Sequence, residues 1–137
     1  MKKLLYLFIT SIFLISCSSD DDNNSSLEPI IGEWQLTSYK FNGEEKANDC
    51  DKKSTTTFFK NGTGNSIGFD FTQNKCERFT DTFTWVNLGD SKYRTDNGYY
   101  AYTTEITFSN NNSVLMTFRT EINNGSSETV SYTYKRI

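Results

Sequence analysis

Residues 98–137, GYYAYTTEITFSNNNSVLMTFRTEINNGSSETVSYTYKRI, contain three segments in which apolar and polar side chains alternate. Two clusters, NNN at 110–112 and NNG at 123–125, separate these segments. Alternation with a period of two is typical of a strand with one buried face, and Asn and Gly supply the positive φ angles of tight hairpin turns. The stretch therefore predicts three antiparallel strands joined by short hairpins.

The same pattern continues towards the amino terminus, where segments rich in Thr, Tyr, Phe, Val and Ile are broken by short Gly, Asn and Asp clusters. Only the connection over about residues 42–52 is long, and the sole proline, Pro29, precedes the first strand. The predicted strands are eight: Gly32–Phe41, Lys53–Phe59, Asn65–Thr72, Glu77–Asn87, Lys92–Thr95, Tyr99–Ser109, Ser113–Ile122 and Glu128–Ile137.

Short connections join strands that are neighbours in space, so this order predicts an antiparallel meander. A meander of eight strands avoids exposed edges most simply by closing on itself, with the first strand antiparallel to the last. We therefore expect an all-β fold, an antiparallel eight-stranded up-and-down barrel over residues 30–137. One domain of about 110 residues is long enough to bury a core.

Alternation also assigns side chains to faces, because every second residue of a strand points the same way. We expect these sets to face the barrel interior: Ile30, Gly32, Trp34 and Leu36; Ile67, Phe69 and Phe71; Phe79, Phe83 and Trp85; Tyr100, Tyr102, Ile106 and Phe108; Val114, Met116 and Phe118; Val130, Tyr132, Tyr134 and Arg136. The opposite faces are mostly Thr, Ser, Lys and Glu. Asp81 shares its face with Phe79 and Phe83, so it either makes a polar contact inside or lies at the rim.

Three stretches carry a family resemblance: IIGEWQLTSYKFNG at 30–43, NDCDKKSTTTFFKNGTG at 48–64 and YTYKRI at 132–137. They resemble the lipocalins, whose first strand opens with Gly-x-Trp, and more closely the small lipocalin-like lipoproteins of Bacteroidetes. The resemblance implies that Arg136 of the last strand lies across Trp34 and clasps the barrel. A guanidinium over an indole would add about 0.5–2 kcal/mol.

An eight-stranded barrel is either filled by its own side chains or holds one small ligand. The resemblance implies a binding module for a small hydrophobic ligand, and the expected lining is Phe69, Phe83, Trp85, Tyr102, Met116 and Tyr132. The alternative is a solid barrel whose loops meet another envelope protein or a host molecule. Aromatic residues make up 15% of the chain and could fill the interior. No cofactor is expected.

The amino terminus resembles a bacterial lipoprotein signal. A cationic start, Met1-Lys2-Lys3, precedes twelve apolar-rich residues, a length typical of a signal peptide and too short to span a bilayer. Residues 14–17, LISC, then match the lipobox pattern, which implies that residues 1–16 are removed and Cys17 is acylated. The alternative is an incidental cysteine in an uncleaved leader. Two or three acyl chains would give stable membrane anchoring.

Residues 17–29 follow as a polar tether, because the run SSDDDNNSS at 18–26 has no apolar residue to bury. The run resembles the export signal of surface lipoproteins, although it could be a plain spacer. We expect an outer-membrane lipoprotein, exposed at the cell surface. Loss of Lys2 and Lys3 leaves 12 of the 14 basic residues against 17 acidic ones, a net charge of about −5. That charge argues against a nucleic-acid partner.

Two cysteines remain after acylation, Cys50 and Cys76, and an oxidising compartment favours their pairing. Closing a loop of about 26 residues would stabilise the fold by about 3–4 kcal/mol. Two free thiols are the alternative. The chain has no histidine, so the usual metal ligands and nucleophile–base pairs are missing. We expect no metal site, no catalytic residues and no enzymatic activity.

Overall fold

The computed structural model describes residues 28–121 and 127–137. Cys17, the leader, residues 18–27 of the tether and the turn at 123–125 lie outside the described residues. The described elements are β1 (Gly32–Phe41), β2 (Glu44–Glu45), the 3-10 turn η1 (Asp51–Lys53), β3 (Thr55–Phe58), β4 (Thr63–Thr72), β5 (Lys75–Gly89), β6 (Lys92–Asp96), β7 (Ala101–Asn110), β8 (Ser113–Glu121) and β9 (Ser127–Arg136).

Each strand from β3 to β8 pairs antiparallel with the next one along the chain, and β1 pairs with both β3 and β9. These pairings close the sheet into a ring of eight strands. The closure places Trp34 opposite Arg136 and Leu36 opposite Tyr134. The antiparallel barrel predicted from the sequence is thereby confirmed.

The strand count differs from the prediction, because the described chain has nine strands. The additional one is β2, a two-residue strand that pairs with the end of β1 at Lys40 and Phe41. It lies in the connection over about residues 42–52 that the sequence showed to be long. The turn Asn42-Gly43 makes this short hairpin possible, since both residues have positive φ angles. β2 therefore pairs only with the end of β1 and is not one of the eight strands that form the ring.

Strand direction gives the barrel two ends. The base is the end that carries the start of β1, the turns at 59–62, 90–91 and 111–112, and the end of β9. The mouth is the opposite end, with the connections at 42–54, 73–74 and 97–100. Glu28, the first described residue, also lies at the base, where its carboxylate accepts hydrogen bonds from Asn87 and Tyr93.

The buried cluster fills the part of the barrel near the base. Its members lie on the face that we call inner: Ile30, Trp34, Phe58, Tyr93, Ile106, Val114 and Met116, with Phe83, Trp85, Phe108, Tyr132 and Tyr134 packed against them. Trp34 is fully buried, and its indole N–H donates to the Ile30 carbonyl at 2.7 Å. This bond folds the segment before β1 across the base.

A bulge between Leu36 and Ser38 shifts the register of β1 against β9. One extra residue in a strand exchanges its two faces beyond that point. Tyr39 therefore lies opposite Tyr132, and its ring stacks on the Tyr132 ring with centroids 5.0 Å apart. A strict alternation along β1 would have turned Tyr39 outward.

The hairpin of β4 and β5 extends past its neighbours towards the mouth. β5 has 15 residues, but it pairs with β6 only from Thr84 onward. Side chains from Asp70 to Thr82 are exposed on both faces of the hairpin. The disulfide between Cys50 and Cys76, with Cα atoms 5.6 Å apart, ties this hairpin to the long first connection. The predicted pairing of the two cysteines is present.

Candidate functional site: the barrel interior

The layer nearest the base is packed with aromatic rings. Phe58 meets Phe83 edge-on at 5.2 Å and Trp85 at 5.9 Å. The Trp85 indole N–H lies 3.1 Å from the Phe59 carbonyl and 3.0 Å from the Thr63 carbonyl, both at the turn between β3 and β4. Trp85 therefore belongs to the floor of the interior, where its position is fixed by the base turn.

The Arg136 side chain closes the base from below. Its guanidinium carbon lies 4.2 Å from the centroid of the Trp34 ring. The same group donates to three backbone carbonyls: Ile31 at 2.7 Å, Pro29 at 2.7 Å and Asn111 at 2.9 Å. These bonds join the amino-terminal segment, the β7–β8 turn and β9. The arrangement matches the clasp that the sequence resemblance implied.

A third group at the base holds Glu28 against β5 and β6. The Tyr93 hydroxyl donates to the Glu28 carboxylate at 3.1 Å, and the Asn87 amide donates to both carboxylate oxygens at 3.0 Å. Burial, followed by the negative charge of Glu28, raises the pKa of Tyr93 to about 12. The segment before β1 is thus fixed at two points, by Glu28 and by the carbonyls that bind Arg136.

Tyrosines occupy the inner face above this floor. The ring of Tyr132 lies between Tyr39 and Tyr134, with its centroid 6.3 Å from that of Tyr134. Burial is the main cause that raises the pKa of both Tyr132 and Tyr134. The Thr56 hydroxyl lies 3.2 Å from the Ser66 hydroxyl on the same inner face. Polar groups therefore replace hydrocarbon as the interior approaches the mouth.

Four of the six predicted lining residues belong to the interior cluster. Met116 is 6% exposed, and Phe83, Trp85 and Tyr132 are partly buried against the core. Tyr102 lies nearer the mouth, is 50% exposed, and stacks with Tyr100 at 6.1 Å. The structure brings these five to one inner face.

Phe69 is the exception, and the prediction that it shares the inner face with Phe83 is wrong. Phe83 lies opposite Gly64 and Phe79 opposite Gly68, so the inner positions of β4 include these two buried glycines. Phe69 points to the other face, with Ile67 and Phe71. An added Cβ at Gly68 would collide with the Phe79 ring, and one at Gly64 with the Phe83 ring. The glycines leave room for the rings from β5. Because glycine has no apolar side chain, the hydrophobicity pattern gave no indication that these positions face inward.

Three buried side chains of the inner face were missed by the sequence analysis. Tyr93 is 4% exposed and Phe58 is 3% exposed, although both strands that carry them were predicted without a face. Thr104 is 2% exposed on the inner face of β7, between Tyr102 and Ile106. Its position two residues from both Tyr102 and Ile106 indicated that it faces inward. It was not assigned to the inner face because its side chain is polar.

The position of Asp81 settles an alternative that the sequence left open. Asp81 is exposed, and its carboxylate accepts a hydrogen bond from the Asn97 amide at 2.9 Å. Asn97 belongs to the β6–β7 connection at the mouth. Asp81 therefore lies at the rim, where it holds that connection against the β4–β5 hairpin.

Two surface cavities lie outside the interior. One of about 440 Å³ is at the base between Glu28, Phe108 and Arg136. The other, of about 580 Å³, follows the β4–β5 pair and includes Phe59, Thr82 and Asn97. Of the predicted lining residues only Phe83 borders either of them. Among the described residues, no group of three or more Cys, Asp or Glu side chains could hold a metal ion.

Comparison with known proteins assigns a family to this barrel. Residues 30–112 match the model of the lipocalin-like domain family, which covers more than half of the chain. The chain belongs to the lipocalin-like domain family. No curated protein sequence matches it.

Solved structures support the same fold for the lipocalin-like domain. Bovine odorant-binding protein in complex with its natural ligand superposes with a TM-score of 0.51 at 13% identity, over 81% of this chain and 73% of that one. The same bovine protein with a selenium-containing odorant gives a TM-score of 0.52 at 12% identity, over 88% and 78% of the two chains. Similarity at this level of identity shows the fold alone.

The lipocalin-like domain thus has a base that is closed by Trp34 and Arg136 and a mouth at the opposite end of the barrel. Within the described ranges, no helix is long and apolar enough to cross a membrane. The side chains that could contact a ligand are those above the aromatic floor, and they are partly exposed towards the mouth.

Proposed function

We propose that this lipocalin-like protein is a membrane-anchored carrier that holds a small, mostly apolar ligand in its barrel. The proposal rests on family membership together with the gradient of exposure along β7. Ile106 is 2% exposed near the floor, Tyr102 is 50% exposed near the mouth, and both lie on the inner face. A concave site that is apolar at its floor, with a few polar groups above, is the usual form of a small-molecule site. Binding, with no chemical transformation, is the proposed activity.

Native mass spectrometry of the full chain, purified from its own host with detergent removed, tests the carrier function. We expect an excess mass that organic extraction removes and identifies. A bare chain in every preparation, with no binding of added apolar probes, would contradict the proposal.

A matched pair of variants distinguishes the interior from the surface. Ser66 lies on the inner face of β4, and Asn65 lies on its outer face. Ser66→Trp places a large ring inside the barrel and should abolish the excess mass, whereas Asn65→Trp should leave it unchanged. Near-ultraviolet circular dichroism of both variants shows whether the barrel remains folded.

Anchoring through Cys17 is the second part of the proposal. Metabolic labelling with an alkyne fatty acid should label the full chain and fail to label Cys17→Ser, while Cys50→Ser should retain the label. A labelled Cys17→Ser variant would exclude the anchor. Proteinase added to intact cells should cleave the protein if it is exposed on the outer membrane.

The position of Glu28 at the base indicates the end of the barrel to which the proposed anchor is joined. A lipid at Cys17 would attach to the closed end, because the chain leaves the barrel beside Glu28.

A solid barrel that binds an envelope or host protein is the second candidate, and exposed aromatic side chains at the mouth favour it. Phe71 and Phe79 are 54% and 55% exposed, and Tyr99 and Tyr100 are 88% and 65% exposed. Aromatic residues are enriched in protein interfaces. A photo-crosslinking residue in place of Tyr99 should capture one defined protein on intact cells if this candidate is correct.

A further inference from the structure

We infer that the ligand is electrically neutral and carries one hydrogen-bonding group, which binds the hydroxyl of Thr104. This inference rests on the proposed carrier function and specifies the chemistry of the same interior site. The decisive feature is an unpartnered polar atom in the barrel.

Thr104 is 2% exposed, and its Oγ1 atom has no hydrogen-bond partner within the described part of the chain. Buried hydroxyls are nearly always hydrogen-bonded, and an unpaired one is destabilising. A threonine hydroxyl can both donate and accept. It can therefore bind an alcohol, a phenol or a carbonyl oxygen of a ligand that enters the barrel.

The neighbours of Thr104 place it where a ligand from the mouth would arrive. Tyr102 is two residues nearer the mouth and half exposed, while Ile106 is two residues nearer the floor and buried. Tyr93 lies opposite Thr104 on β6. A ligand that enters from the mouth therefore passes the level of Tyr102 before that of Thr104, and the level of Ile106 lies beyond.

Among the buried side-chain nitrogen and oxygen atoms of the described residues, Oγ1 of Thr104 is the one without a hydrogen-bond partner. The hydroxyls of Thr56 and Ser66 lie 3.2 Å apart, and the Tyr93 hydroxyl donates to Glu28. Thr104 is thus the group whose hydrogen-bonding capacity a ligand would complete.

The charges on the inner face disfavour an ionic ligand. Among the described inner-face residues, the cations are Arg136 at the base, which is occupied by three carbonyls, and Lys75 at the tip of the β4–β5 hairpin. The inner-face carboxylates near the mouth are Asp70, Glu77, Asp81 and Glu128, all at least partly exposed, and Asp81 is engaged by Asn97. At the base, the Glu28 carboxylate is already engaged by Asn87 and Tyr93. A carboxylate or an ammonium at Thr104 would lose its hydration without gaining a counter-charge, which is costly.

Displacement of N-phenyl-1-naphthylamine from the full chain by four eight-carbon compounds tests this inference at pH 7.5. The compounds are octane, 1-octanol, octanoate and octylamine. We expect 1-octanol to bind about five- to tenfold more tightly than octane, the gain of one hydrogen bond. Octanoate and octylamine should both bind more weakly than 1-octanol.

Three variants connect the preference to one hydroxyl. Thr104→Val should bind 1-octanol less tightly than octane, since it keeps the shape of the site but leaves the hydroxyl of 1-octanol buried without a partner. Thr104→Ser should retain the preference for 1-octanol. Thr103→Val, on the exposed outer face of the same strand, should behave as the parent chain.

Two results would overturn the inference while leaving the carrier function in place. One is equal binding of octane and 1-octanol by the parent chain; the other is tightest binding of octanoate or octylamine. If neither the naphthylamine probe nor any of the four compounds binds, the carrier function itself fails and the inference fails with it.

Discussion

The guanidinium of Arg136 stacks on the indole of Trp34 at 4.2 Å while it donates to three backbone carbonyls. One side chain thereby joins the two strands that close the ring, at the end where the barrel is tightest. Trp34 is fully buried beneath it, and Gly32 lies so close to the guanidinium that a Cβ there would collide with it. This contact reinforces the backbone pairing of β1 with β9 at the base.

Replacing Arg136 by Leu should lower the free energy of unfolding by about 2–4 kcal/mol, because a cation–π contact is lost and backbone acceptors lose their donors. Arg136→Lys should lose less, since the charge remains. Urea denaturation measures both. The adjacent exposed Lys135 supplies the control, and Lys135→Leu should change stability by no more than about 0.5 kcal/mol. Equal effects of the two Leu variants would contradict the clasp.

Removing the disulfide should also destabilise the barrel. The double variant Cys50→Ala, Cys76→Ala should lose about 3–4 kcal/mol, because a loop of 26 residues is no longer closed in the unfolded chain. Reductant should destabilise the parent chain similarly and have no effect on the double variant. A double variant as stable as the oxidised parent would show that the bond contributes nothing.

The two inner glycines of β4 should respond differently to a methyl group. Gly64→Ala should cost about 1–3 kcal/mol, the usual range for overpacking, since the new Cβ meets the Phe83 ring and lies 2.7 Å from the Thr57 carbonyl oxygen. Gly68→Ala meets only the Phe79 ring, which is 55% exposed and can move outward. The difference in thermal unfolding between the two variants checks this order, and a larger loss at Gly68 would refute it.

The raised pKa of Tyr93 predicts that the folded protein loses stability in strong alkali. Its pKa is raised in the folded state, from 10.0 to about 12, so the protonated hydroxyl favours folding and this contribution is fully present below about pH 10. As the pH rises from 10 to 12, the unfolded chain ionises first and the contribution is lost. Tyr93→Phe lacks this ionisation.

Denaturation midpoints at pH 8 and pH 11 test the alkaline effect. The parent chain should lose more stability than Tyr93→Phe between the two values. At pH 8 the variant should be the less stable chain, because it lacks the hydrogen bond to Glu28. The same loss of stability in both chains would mean that Tyr93 titrates normally.

Much of the architecture was predictable from local pattern. The Asn- and Gly-rich turns indicated the order of the strands, and the avoidance of exposed edges predicted that the first strand pairs with the last. The pairing of the two cysteines was predicted from their number and from the oxidising compartment that the leader sequence implies. These features depend on short segments, so the alternation of side chains and the residues of the turns are enough to predict them.

The interior was predicted less well, for physical reasons visible at particular residues. The bulge before Ser38 exchanges the faces of β1 and brings Tyr39 inward, and a two-residue period contains no sign of it. Gly64 and Gly68 occupy inner positions because rings from β5 cover them, so the apolar set on β4 was assigned to the wrong side. Thr104 is buried despite its polarity.

The pairing of β1 with β9 has a consequence for how the domain could be rebuilt. The Ile137 amide donates to the Glu33 carbonyl at 3.1 Å, so the two ends of the barrel sequence are adjacent. A closed ring has no first strand in any physical sense, and adjacent ends tolerate circular permutation. A short linker could join them, and new termini could open at the exposed Gln73-Asn74 turn. Such a permuted barrel would place its ends, and any domain fused to them, beside the mouth.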